Sequence, residues 1–125
     1  MDRKNQGSLE IICGSMFSGK SEELIRRLRR AEIANKKVIS FKPCLDIRHS
    51  LDHVSSHNGN SFKAVAIDNP SELLTGLDPA IEIIGIDEVQ FFPMSVVSII
   101  LQLVRGGKRV IAAGLDLDFF YPYSF

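Results

Sequence analysis

The chain carries no net charge, because fifteen lysines and arginines face fifteen aspartates and glutamates. That balance offers no general attraction for nucleic acid or for an anionic membrane surface. Cysteine is scarce as well. Cys13 and Cys44 are the only two, too few for a disulfide scaffold and without the spacing of a metal site. Reduced thiols in a cytoplasmic protein fit that usage. Long apolar runs are missing: the longest, Ser95 to Val104, is about half of what crosses a bilayer. The amino-terminal LEIIC run, with Glu10 inside it, is too short for the core of a signal peptide. The expectation is a cytoplasmic protein with neither nucleic acid nor membrane as a partner.

What is present suits one folded unit. A chain of 125 residues has room for a single domain over residues 1–125, hiding about two-thirds of its unfolded surface. With 45% hydrophobic and 24% charged residues, disorder is disfavoured. The charge is unevenly placed. Residues 1–37 hold nine basic and five acidic side chains, and Arg26, Arg27, Arg29 and Arg30 supply most of that excess. They read as the solvated face of a helix.

Leu9 to Cys13 is a short apolar run ending at a glycine, the pattern of a buried parallel strand. From Ser21 onward Leu24, Ile25, Leu28 and Ala31 recur at helical spacing. Val38 to Phe41 predicts a second strand, closed by Lys42-Pro43 because proline has no amide hydrogen. Residues 44–60 are polar and read as a long loop. Phe62 to Ile67 predicts a third strand, and Pro70 to Leu74 a short helix stopped near Gly76. Ile81 to Ile86 is almost wholly apolar and so belongs at the centre of a sheet. Pro93 suits a first helical turn, Gly106-Gly107 an ending, and Val110 to Ala113 a further strand. Strands alternating with helices predict a parallel α/β sheet. The final FFYPYSF holds five of the ten aromatic residues without helix or strand period, a poor ending for a soluble domain.

Two segments carry chemistry. Gly14-Ser15-Met16-Phe17-Ser18-Gly19-Lys20-Ser21 fits GxxxxGK[ST] in full, and it lies between a predicted strand and a predicted helix. Unpaired amides at the mouth of such a helix converge on a phosphate, and glycines let the backbone approach it closely. Lys20 would reach the β and γ phosphates, and the Ser21 hydroxyl would bind Mg²⁺. Ile83 to Ile86 then delivers Asp87 and Glu88 at the carboxyl end of a strand, where ligands collect in this fold class. Asp87 suits the Mg²⁺ water shell, and Glu88 is free to orient or deprotonate a nucleophile. Arg48 in the long loop is a candidate to neutralise charge on a transferring phosphoryl group. His49, His53 and His57 are four residues apart, but the loop around them lacks the helix that would align them, so zinc is not expected there. The residues by themselves predict ATP or GTP binding with hydrolysis or transfer, and leave the acceptor open.

The order and spacing of five segments resemble the type II (cellular-type) thymidine kinases: GSMFSGKSEEL at 14–24, KPCLDIR at 42–48, SHNG at 56–59, DEVQFF at 87–92 and GLDLDF at 114–119. The resemblance covers about Leu9 to Phe119. It implies a P-loop, RecA-like α/β core that transfers the γ-phosphoryl of MgATP to the 5′-hydroxyl of thymidine. Gly14 to Ser21 with Asp87, Glu88, Val89 and Gln90 would form the ATP site. Glu88 would be the general base, and Arg48 and Asp46 would support the phosphoryl and sugar end. Met16, Phe91, Leu115 and Phe119 would line the nucleoside pocket. Ser21 and Asp87 would hold Mg²⁺, and the family's tetramer is the implied assembly. Family members continue past GLDxDF into a tetra-cysteine zinc site and a loop over the base. Here residues 120–125 read differently, so no zinc is expected and a chain shortened relative to the family is. A silent ATP-binding fragment and a P-loop ATPase are the alternatives.

Overall fold

The computed structural model describes residues 7–14, 19–44, 53–55 and 61–115. Strand β1 (Ser8–Cys13) leads into helix α1 (Lys20–Ile33), and β2 (Val38–Pro43) follows. A short antiparallel hairpin, β3 (His53–Ser55) with β4 (Ser61–Lys63), precedes β5 (Val65–Ile67). Then come a 3₁₀ turn at Pro70–Leu73, strand β6 (Ile83–Ile86), a second 3₁₀ turn at Val89–Phe91, helix α2 (Ser95–Arg105) and β7 (Arg109–Gly114). Five strands form one sheet in the order β1-β7-β6-β2-β5, and every pairing in it is parallel.

Two apolar layers cover the sheet. Alternate residues of a strand face opposite sides, and each helix takes one of the two faces. Leu24, Ile25, Leu28 and Ala31 of α1 pack with Ile12, Ile83, Ile111 and Ala113. Val96, Ile99, Ile100 and Leu103 of α2 pack with Leu9, Ile84, Ile86, Val110 and Ala112. The four helical positions expected of α1 are its four buried ones. All four residues of β6 are buried, as its apolar run and central place require.

Gly85 explains how closely α1 lies on the sheet. A Cβ at that position would sit 2.8 Å from Leu28 Cδ1, so the leucine occupies the space a side chain would need.

Three expectations need correction. The stretch read as loop contains paired backbone at 53–55, and the strand expected over 62–67 is two strands. Residues 61–63 pair with 53–55 outside the main sheet, while Val65–Ile67 joins β2. Buried Ala64 separates them. The second strand also runs through Pro43, two residues beyond the expected stop. Strand alternation puts the Pro43 nitrogen on the β6 side, and there β6 has already ended, with Asp87 N–H donating to Phe41 O at 2.9 Å. No ladder bond is lost by having proline there.

Candidate active site

The carboxyl ends of β1, β6 and β7 meet the first turn of α1, and the residues singled out for chemistry gather there. Gly14 leaves β1 with its N–H donating to Gly114 O at 3.3 Å. Gly19 precedes α1 with φ of +88°, a left-handed conformation that glycine adopts without penalty. An added Cβ would meet nothing within 4 Å, so backbone conformation and not space selects glycine. Among the described residues no side chain caps α1, which leaves its first amides open toward an anion. Lys20 and Ser21 open the helix immediately afterwards.

Ser21 Oγ donates to Asp87 Oδ2 at 3.2 Å. This bond joins the start of α1 to the end of β6, although β7 lies between β1 and β6 in the sheet. Asp87 is only 5% exposed. Burial pushes its carboxyl up to about 6, and the neighbouring Glu88 charge adds to that. The Glu88 N–H, the Ser21 hydroxyl and the Lys20 charge pull the other way without prevailing. A carboxylate held where ionisation is disfavoured gains strongly from a cation.

Glu88 follows in the left-handed region, φ 52° and ψ 44°. A non-glycine residue there costs on the order of 1 kcal/mol or more and persists only when its surroundings hold it. Two bonds hold it here. Its N–H donates to Asp87 Oδ1 at 2.9 Å, and its carbonyl accepts from Phe91 N–H at 3.0 Å. The twist separates the two carboxylates: Asp87 is buried, and the Glu88 residue is half-buried.

The next turn divides its residues between core and cleft. Val89 is fully buried among the residues packed on α2, so only its backbone is left for a ligand. Phe91 is 50% exposed, a large apolar surface beside the acidic pair. Gln90 Oε1 accepts from Leu115 N–H at 3.1 Å and so ties this turn to the exit of β7. Its Nε2 is buried with no partner among the described residues. A buried amide without an acceptor costs about 1–3 kcal/mol, and an oxygen-rich ligand is what would satisfy it.

The hydroxyl and carboxylate oxygens of Ser21 and Asp87 suit a hard divalent cation such as Mg²⁺. The open amides before them and the orphaned Gln90 donor suit phosphate oxygens. The residues present therefore fit MgATP. Of the expected site residues, Gly14, Gly19, Lys20, Ser21, Asp87, Glu88, Val89, Gln90, Phe91 and Leu115 are placed at this end of the sheet. Ser15, Met16, Phe17, Ser18, Asp46, Arg48 and Phe119 lie outside the described residues, as do His49 and His57. His53 lies on strand β3, not on a helix.

A wholly parallel sheet flanked by helices, with a glycine turn, a serine and a strand-end acid at its carboxyl edge, is the architecture of a P-loop-type α/β domain. The family model for thymidine kinase matches residues 7–122. The chain belongs to the thymidine kinase family. The match begins two residues before Leu9 and runs three beyond Phe119.

Proposed function

We propose that this chain is an ATP-dependent thymidine kinase, transferring the γ-phosphoryl group to the 5′-hydroxyl of thymidine to give thymidine monophosphate. The observation that carries the reading is the Ser21–Asp87 bond, with Glu88 turned out of the core beside it. Family membership supplies the acceptor class.

Gly14 to Ser21 wrap the triphosphate, with Lys20 drawing charge from its β and γ groups. Ser21 and Asp87 would hold Mg²⁺, which would supply charge neutralisation at the phosphates. Glu88 accepts the 5′-hydroxyl proton. The sugar oxygen then forms its bond to the γ phosphorus as the bond from that phosphorus to the β–γ bridging oxygen breaks, and ADP leaves. A loose, metaphosphate-like transition state asks mainly for alignment and charge neutralisation. Arg48 serves the transferring group and Asp46 the sugar. Met16, Phe91, Leu115 and Phe119 enclose the nucleoside, and the backbone of Val89 with the Gln90 amide completes the nucleotide side. The proposal includes one domain over the chain, a cytoplasmic location for nucleotide salvage and a homo-oligomeric, tetrameric assembly. Among the described residues no helix is long and apolar enough to cross a membrane.

ADP formation measured with and without thymidine tests the reading. Thymidine-dependent release is expected. Release indifferent to thymidine would make the protein an ATPase, and ATP binding without release a silent nucleotide-binding chain.

A further inference from the structure

A concave surface lies at the end of the sheet opposite the proposed site. It is a groove of about 570 Å³ between the amino ends of β1, β6 and β7 and the last two turns of α1, where Ser8, Ile83 and Arg109 begin their strands. Its volume is in the range of small-molecule sites, and it takes no part in the chemistry at the carboxyl edge.

Its walls are charged and partly organised. Glu10 on β1 accepts from Arg27 Nη1 at 2.9 Å and from Arg109 Nε and Nη2. Arg27 Nε also donates to Glu23 at 2.7 Å. One carboxylate thus fixes two guanidiniums that come from different elements. Each guanidinium has five N–H donors, and these bonds use two of the five on Arg27 and two on Arg109.

The charges do not balance. Arg26, Arg27, Arg30, Lys36 and Arg109 line the groove with Glu10 and Glu82. Adding Glu23, which pairs with Arg26 and Arg27, leaves five positive charges against three negative among the described residues, an excess of two. Arg30 accounts for one, having no ionic partner among the described residues. Glu10, whose single charge serves two arginines, accounts for the other. The lowered pKa of Glu10 has the same origin: burial alone would raise it, and the two arginines outweigh that.

We infer that this groove binds a small dianionic phosphate, either inorganic phosphate or the phosphate of a monoester such as a nucleoside 5′-monophosphate. Two uncompensated positive charges match two negative ones, and arginine forks held in advance lose little freedom on forming charge-assisted bonds. Helix α1 begins at Lys20 in the proposed catalytic site and carries Arg27 and Arg30 of the groove, so one rigid element spans both ends.

The test uses full-length protein with Lys20→Ala, which disables the phosphate loop, and calorimetric titration with inorganic phosphate and separately with adenosine 5′-monophosphate at constant ionic strength. Saturable binding of at least one probe is expected to survive Lys20→Ala. Adding Arg30→Glu, an exposed position whose side chain has no bond to lose among the described residues, should weaken that binding about tenfold or more, as the loss of a charge-assisted bond implies. Tighter binding of adenosine monophosphate than of phosphate would identify a monoester as the ligand, and equal binding would identify the phosphate group alone. Loss of all binding in Lys20→Ala, or binding indifferent to Arg30→Glu, would overturn the inference.

Discussion

Ser21 and Asp87 are 66 positions apart in the chain, and 3.2 Å separates Oγ from Oδ2. The carboxylate pays for that position in ionisation energy, since a rise from the ordinary 3.8 to about 6 corresponds to about 3 kcal/mol. Below pH 4 the group is protonated in folded and unfolded chains alike. Between about 4 and 6 the unfolded chain ionises first, so stability falls as pH rises, and above 6 the penalty is complete. Asp87→Asn removes it. In buffer with EDTA the variant should melt several degrees above the parent at pH 7.5 and level with it near pH 4, as thermal melts at both pH values will show. Its thymidine-dependent turnover should be lost.

Glu88 combines a proposed chemical role with an unfavourable backbone, and two substitutions separate them. Glu88→Gln keeps the shape and should abolish phosphoryl transfer while sparing ATP binding. Glu88→Gly relieves the left-handed conformation and should fold at least as stably as the parent, by up to about 1 kcal/mol, despite being inactive. Denaturant titration beside an ADP-release assay distinguishes the effects. Unchanged turnover in Glu88→Gln would remove the residue from the base role.

Gly85→Ala drives a methyl into Leu28 and should destabilise by about 1–3 kcal/mol. Leu28→Val in the same molecule makes room, so the double variant should lose less than the sum of the two single changes. A double-mutant cycle from urea titrations gives the coupling directly, and strict additivity would contradict the packing described.

Glu10→Gln should cost about 1 kcal/mol at pH 7, a modest value because the cluster is partly exposed. Its depressed pKa means this stability is present above the ordinary 4.5 and is lost as pH falls through the folded value. The difference in Tm between parent and variant should therefore narrow progressively as pH falls below 4.5.

Much of the framework was legible because it is local. The apolar spacing of Leu24, Ile25, Leu28 and Ala31 named the buried face of α1, and the almost wholly apolar Ile81 to Ile86 named a central strand, which begins two residues later, at Ile83. The close approach of Leu28 to Gly85 was not read from the sequence, because nothing local identifies the leucine as the neighbour. Glu10 was legible only as a charge interrupting an apolar run. Its partner Arg109 is 99 residues away, and no local pattern reports such a pair. The arginines read as one solvated face divide in the fold: Arg29 and Arg30 are exposed, whereas Arg27 is packed against the sheet on Glu10. Nor does composition indicate that Glu88 takes a positive φ, because glutamate has no preference for it and only the surrounding bonds impose it.

Strand β7 is among the last elements in the chain order, yet it fills the slot between β1 and β6. During synthesis β1 must therefore wait, without its partner in the sheet, until residues 109–114 have left the ribosome. The carboxyl ends of β1 and β6, which carry the two parts of the proposed site, are joined in the sheet only through β7. Until β7 is in place, the facing edges of β1 and β6 carry unpaired N–H and C=O groups, the condition that invites edge-to-edge association.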